Sequence, residues 1–441
     1  MIASSRVRWS VVGVAALLAV VAYMHRVGFA HAGADLKAEF GLDDVGWGRV
    51  MSTFLFAYAI FEIPWGFAAD RYGARRTLGV AVLGWSAITA LTSLVDHVDA
   101  AYRVQLLVAL RFLFGAFQAG AFPSIARLFG DWIPVRERAT AKGVVWTASR
   151  LGGALIPPCI VALSTSLGWR AALLLTSLAG FWWFVFILPA IPSPRRGEPD
   201  LTSAQSKEPA AAAESSGAFF GSRSVWALCL LYGCAGLPSS FFVTLLPAYL
   251  REHRGLSAAQ AAHMSMLPLA AGTVACLAGG LCSDWIMRRT GSRTWGRRIP
   301  GMVGLTGAGA AILATVWVED SFTLGVLLAV AFASFDLTMG PAWAACVDLG
   351  GRHAGTLGGA MNMVGNLGAA LGAHTAGAFL GRTLRGPGDI PVSGNDLVFY
   401  IFAASFWLGA LLWLAVDVDA ATRRRARAGD PTNPSGQPPQ I

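Results

Sequence analysis

Gly66-Phe67-Ala68-Ala69-Asp70-Arg71-Tyr72-Gly73-Ala74-Arg75-Arg76 lies between two long apolar runs. A related stretch, Gly280-Leu281-Cys282-Ser283-Asp284-Trp285-Ile286-Met287-Arg288-Arg289-Thr290-Gly291, recurs in the second half of the chain. Both read Gly-x-x-x-Asp, then basic residues, then Gly, so the sequence carries an internal duplication. A second match has nearly the same offset. Ser149-Arg150-Leu151-Gly152-Gly153-Ala154-Leu155 parallels Gly365-Asn366-Leu367-Gly368-Ala369-Ala370-Leu371.

The apolar runs around these motifs decide the class. The chain has 441 residues, 55% hydrophobic and only 13% charged, which excludes an ordinary soluble protein. About twenty apolar residues cross a hydrocarbon core of ~30 Å. Runs of that kind fall at 9–30, 47–69, 77–94, 103–130, 139–163, 169–189, 225–250, 262–284, 299–318, 322–346, 354–381 and 397–416. The expected fold is all-α and integral to the membrane, with twelve transmembrane helices in two pseudo-symmetric halves. The expected division is 1–189 for the first six-helix half, 190–224 for a cytoplasmic linker, 225–416 for the second half and 417–441 for a disordered cytoplasmic tail. Repeats of this sort place a cavity between the halves at mid-membrane.

The formal charge of +9 points to topology and not to nucleic acid. Basic residues cluster in alternate loops and at both ends: Arg6 and Arg8, Arg71 to Arg76, Arg136 to Lys142, Arg195 and Arg196, Arg288 to Arg298, Arg423 to Arg427. The positive-inside rule then makes both termini cytoplasmic, and the cytoplasmic (inner) membrane is the expected location. The six cysteines are scattered through apolar runs with no metal-ligand spacing, and neither a metal nor a cofactor is expected. There is no nucleophile–base constellation and no phosphate loop, so an enzyme is not expected either.

Ionisable residues inside membrane segments are costly, about 2.5–3.5 kcal/mol each on insertion scales, so every one is a candidate for function. They are His25, Arg26, Glu62, Arg111, Arg150, Asp336 and His374. The three arginines share the first half. Guanidinium keeps its charge and grips carboxylates bidentately, so together they predict a site for an anion. Snorkelling, or internal pairing with Glu62 or Asp336, is the plainer alternative. Tyr58, Tyr232, Trp343 and Asn362 are suited to lining such a cavity, although packing alone would also account for them.

The duplicated loop suits a conformational latch built from Gly66, Asp70, Arg71, Gly73, Arg75, Asp284 and Arg288. Asp70 ends its helix where the dipole disfavours a carboxylate, so it needs a basic partner or another helix's N-terminus. Gly73 permits the tight turn.

These residues resemble the major facilitator superfamily, and in particular its anion:cation symporter branch. That branch includes bacterial galactonate, glucarate and hexuronate carriers and the animal vesicular glutamate and sialic-acid carriers. The resemblance spans all twelve runs. It rests on Phe61-Glu62-Ile63-Pro64-Trp65-Gly66 leading into Asp70-Arg71-Tyr72-Gly73, on Arg111 to Phe122-Pro123, and on Trp132-Ile133-Pro134 with Glu137-Arg138. It continues through Gly340-Pro341-Ala342-Trp343 and Asp348 to Thr356, followed by Asn362 and Gly365-Asn366.

By that resemblance Tyr23, Arg26, Tyr58, Arg150, Trp343 and Asn362 fall at or near substrate positions. Two departures stand out. The family's Tyr-x-Asp-Arg reads Tyr23-Met24-His25-Arg26 here, and the acid seven residues after Arg111 is Gln118. In such carriers the two missing acids are the ones implied in proton coupling. Glutamine does not titrate, whereas histidine titrates near neutrality, so the coupling candidates become His25, Glu62, Gln118 and Asp336. The expected function is a monomeric secondary transporter of small organic anions such as sugar acids, working in a lipid bilayer by alternating access with a proton or another coupling ion. An efflux carrier for a hydrophobic or cationic compound, and a membrane ligand sensor that does not transport, are the competing readings.

Overall fold

A computed structural model describes residues 5–191, 221–385 and 391–419. The expected linker and tail fall largely outside the described residues. In a bilayer each backbone polar group must be satisfied within its own segment, and the chain accordingly folds into long helices. In chain order the first half contains Ser5–His31, Asp44–Tyr72, Ala74–Thr92, Arg103–Gln118 continued by Ala121–Trp132, and Arg138–Trp182. Arg138–Trp182 is two rods, because Gly168 has φ 84° and turns the chain back on itself. The second half contains Arg223–Ser240 extended through Leu246–Glu252, Ala258–Thr290, Arg293–Ala314, Ser321–Leu337 continued by Met339–Gly350, Ala354–Phe379, and Gly394–Leu412. We number these membrane crossings spans one to twelve.

Several spans run past their apolar cores. Span eight starts at Ala258 because Ser257 and Gln260 form a reciprocal capping box, and it ends at Gly291 in the left-handed conformation. The all-α expectation needs one addition. A short antiparallel pair, Thr383–Arg385 with Pro391–Ser393, joins spans eleven and twelve.

Spans four and ten break at equivalent places, after Gln118 and after Leu337. Pro123 and Pro341 follow each break within one turn. Neither has an N–H to give to the carbonyl four residues back, so the preceding turn loses its bond. The breaks leave Gln118 and Asp336 beside irregular backbone at mid-membrane, where the site is built.

The two halves meet backbone to backbone on the face that carries the termini. Span two crosses span eleven at Gly66 and Gly355, and a side chain added at Gly66 would collide with the Gly355 carbonyl. Span five crosses span eight in the same way: Gly280 lies against the Ala139 carbonyl, and a Cβ on Gly143 would sit 2.6 Å from the Cys276 carbonyl. Small residues of this kind allow close helix approach.

A wedge at either crossing should therefore favour the state open on this face. Overpacking costs ~1–3 kcal/mol, about five- to a hundred-and-fiftyfold on the ratio of closed to open. Gly66→Val and Gly280→Val should raise maleimide labelling of Cys346, which is fully buried here, at least about fivefold by site-resolved mass spectrometry. Labelling equal to the parent protein in both variants would show that the crossings do not govern closure.

Candidate functional site

Arg26 projects from span one into a ring of aromatics. Its guanidinium carbon lies 5.5 Å from the Tyr23 ring, 5.0 Å from Phe54 and 4.9 Å from Tyr58. Arg26 Nε donates to Gln118 Oε1 at 3.1 Å, and Gln118 Nε2 donates to the Ala22 carbonyl at 2.9 Å. The glutamine thus orients the arginine without neutralising it. Arg111, on span four, shares the Phe54 ring at 5.0 Å and stacks on Phe29 at 3.8 Å. Its Nε and Nη2 are buried without hydrogen-bond partners. Neither arginine makes an ion pair among the described residues.

Glu62 is fully buried on span two and reaches the other half of the protein. It accepts from Asn362 Nδ2, and Asn366 Nδ2 lies 3.3 Å from both of its oxygens. Asn366 is one turn beyond Asn362 on span eleven and donates to its carbonyl at 3.0 Å. Tyr58 stands between Glu62 and Arg26 and bonds to both. A continuous polar chain therefore runs from Gln118 through Arg26, Tyr58 and Glu62 to the two asparagines.

Arg150 is engaged elsewhere. Its Nε and Nη2 grip Asp336 at 2.8 and 2.6 Å, a buried bidentate pair joining span five to span ten. The plainer alternative of internal pairing is thus the geometry for Arg150, whereas neither Arg26 nor Arg111 is paired in this way among the described residues. His25 is turned away from this chain. It packs edge-on to Trp85 at 6.3 Å, with Nδ1 2.9 Å from the Val21 carbonyl, inside the first six spans. His374 is exposed on span eleven.

An aromatic floor closes the site on the terminal-face side. Phe122 and Trp146 stack at 5.1 Å, each lies 6.1 Å from Trp343, and Trp343 Nε1 donates to the Tyr232 hydroxyl at 2.9 Å. Four spans from both halves contribute to this floor.

Below the floor the duplicated loops form two matching caps. Asp70 accepts from Gly355 N at 2.9 Å and from Thr356 N and Oγ1 at 2.7 Å each, at the start of span eleven. Asp284 accepts from Thr140 N at 2.8 Å and Thr140 Oγ1 at 2.7 Å, at the start of span five. A carboxylate at a helix N-terminus meets unpaired N–H groups and the positive end of the dipole. Each half thus caps a helix of the other. Arg297 ties Asp284 at 2.7 Å to Asp348 at 3.1 Å, and Arg138 completes the set at 2.7 Å from Asp348. Gly73 makes its turn at φ 89°. Among the described residues Arg288 hydrogen-bonds only to the Arg136 carbonyl, at 3.3 Å, and Arg71 lies over its neighbour Tyr72 on the surface.

Sequence reasoning did not place Asn366, Phe54, Arg138, Arg297 or Asp348 in the site or the gate. For Asn366 the signal was its four-residue spacing from Asn362, which puts both amides on one helix face.

Two halves of membrane helices, a polar chain at their mid-membrane seam and a closed gate on one face define a membrane carrier. The Major Facilitator Superfamily profile matches residues 14–373, and the chain belongs to that family. Its members are transporters and not enzymes. A probable sulfoacetate transporter of Cupriavidus necator is 32% identical over 422 residues, covering 93% of this chain and 94% of that protein. A probable galactarate/D-glucarate transporter of Escherichia coli is 28% identical over 387 residues, covering 82% and 84%. The solved structure of a proton:xylose symporter covers 95% of this chain and 99% of its own with a TM-score of 0.72 at 14% identity, a likeness of fold.

Proposed function

We propose that this protein carries small organic anions, carboxylates or sulfonates, across the cytoplasmic membrane by alternating access. One observation supports this above the rest: Arg26 and Arg111 flank a shared aromatic ring and, among the described residues, no carboxylate pairs with either guanidinium. Buried charge without a partner costs several kcal/mol, and an anionic substrate removes that cost. Relatives named as a probable sulfoacetate transporter and a probable galactarate/D-glucarate transporter fit the same chemistry. A cation carrier would need acids free to face the seam, whereas Asp336 is held by Arg150 and Glu62 by two amides.

Alternate basic loops put the termini, and therefore the closed gate, on the cytoplasmic side. The seam would then open outward, and breaking the Asp70 and Asp284 caps would open it inward. For coupling we favour Glu62, since it touches both the Arg26 chain and the opposite half, while His25 touches neither.

The test is ligand stabilisation followed by exchange. A ligand at one hundred times its Kd stabilises the folded state by about 2.7 kcal/mol. Sulfoacetate or D-glucarate should raise the melting temperature of the purified protein, and the same anion should drive counterflow in proteoliposomes. Stabilisation by organic cations alone would overturn the proposal.

A further inference from the structure

One buried cation is used by neither the site nor the gate. Lys142 lies on span five, 1% exposed, with its ammonium 4.9 Å from the Phe129 ring and 4.7 Å from the Trp343 ring. Among the described residues it makes no hydrogen bond or ion pair, and the ionisable group that acts on it is the Cys346 thiol. The gate's own carboxylates are committed. Asp348 is held by Arg138 and Arg297, Asp284 by Arg297 and the start of span five, and Asp70 by the start of span eleven.

Its place in the helix gives it meaning. Arg138, Lys142, Trp146 and Arg150 recur every fourth residue along span five, and all four meet span ten. Arg138 pairs with Asp348, Lys142 lies over Trp343, Trp146 packs on Trp343, and Arg150 pairs with Asp336. At 1.5 Å per residue the cations stand about 12 Å and then about 6 Å apart, a ladder from the mid-membrane site to the gate. The outer rungs have acids opposite. The middle rung has an aromatic face.

We propose that Lys142 is a second anion-binding station, which receives the substrate's carboxylate or sulfonate between the central site and the cytoplasmic face. The proposal rests on the anion-carrier reading above. While the gate is closed, the rings of Phe129 and Trp343 shield the ammonium through its attraction to their π faces. Opening the gate separates span five from span ten, so Lys142 stays on the wall of the path while Trp343 leaves it. Its three N–H donors then face the passage with no protein acceptor, and an anion leaving the Arg26 site satisfies them.

Lys142→Met preserves the length and removes the charge, whereas Lys142→Arg preserves the charge. With sulfoacetate and D-glucarate as probes, Lys142→Met should keep its ligand-induced stabilisation, showing an intact fold and central site. Its half-saturating concentration for exchange on the cytoplasmic face of proteoliposomes should rise at least tenfold, and Lys142→Arg should restore it. An unchanged half-saturation in Lys142→Met would overturn the proposal and leave the carrier reading standing. Equal impairment in the Met and Arg variants would also overturn it, since packing alone would then be the cause. A parent protein that neither binds nor exchanges either anion would remove the carrier reading and the station together.

Discussion

Arg26→Ala should lower organic-anion uptake by at least about thirtyfold while the protein still inserts, folds and runs as a single species in detergent. The magnitude follows from its surroundings. Truncating one partner of a buried, hydrogen-bonded charge pair costs ~2–5 kcal/mol, about thirty- to several thousandfold. Here the partner lost is the substrate itself, since among the described residues Arg26 is held by the neutral Gln118 amide, by the Tyr58 hydroxyl and by three aromatic rings. Folding should survive because no carboxylate is stranded by the change. Arg26→Lys should recover little, because a point charge cannot reproduce the planar fork that the rings of Tyr23, Phe54 and Tyr58 surround. Wild-type uptake in Arg26→Ala, measured with radiolabelled sulfoacetate at matched protein density, would remove Arg26 from the site. Arg150→Ala is a different experiment: it leaves Asp336 buried and unpaired, so a loss of uptake there would report on the seam and not on substrate binding.

The helices were legible because length and hydropathy are local properties, and the duplicated Gly-x-x-x-Asp loops carried the two-half arrangement. The demand of Asp70 for another helix's N-terminus was legible too, as a consequence of the dipole at its own helix end. Which helix answers was not, because Gly355 lies 285 residues away in the chain and nothing near Asp70 specifies it. The same limit applied to the arginines. Arg26, Arg111 and Arg150 read alike as intramembrane cations, and only a partner 186 residues distant distinguishes Arg150 from the other two. Lys142 was grouped with the basic loop that begins at Arg136. Helix five starts at Arg138, so Lys142 is already one turn inside it and faces span ten. His25 occupied a family position that carries an acid, which made it a coupling candidate. Its neighbour Arg26 points to the seam, and successive residues on a helix are about 100° apart, so His25 faces the Trp85 side.

Glu62→Gln should abolish proton-driven accumulation while leaving counterflow exchange close to that of the parent. Glu62 has two positions to reconcile. With the terminal-face gate closed it accepts from Asn362 and Asn366 across the halves and approaches Arg26 through Tyr58. When the seam parts, those amides leave with span eleven and the carboxylate loses its acceptor role. Taking up a proton lets Glu62 face that state without a net charge, and it also removes the one acid that partly offsets Arg26, so that an anion binds more strongly. The sign follows: uptake should increase as the outside pH falls. With one proton per anion, a gradient of one pH unit supports about a tenfold concentration ratio. Glutamine imitates the protonated form, keeps a side-chain oxygen for Asn362 and cannot titrate. Glu62→Gln should therefore bring the ratio to unity, lose the pH dependence and still exchange anion for anion, whereas His25→Gln should retain the gradient-driven ratio. A tenfold ratio persisting in Glu62→Gln would exclude Glu62 as the coupling group, and its loss in His25→Gln would transfer that role to the histidine.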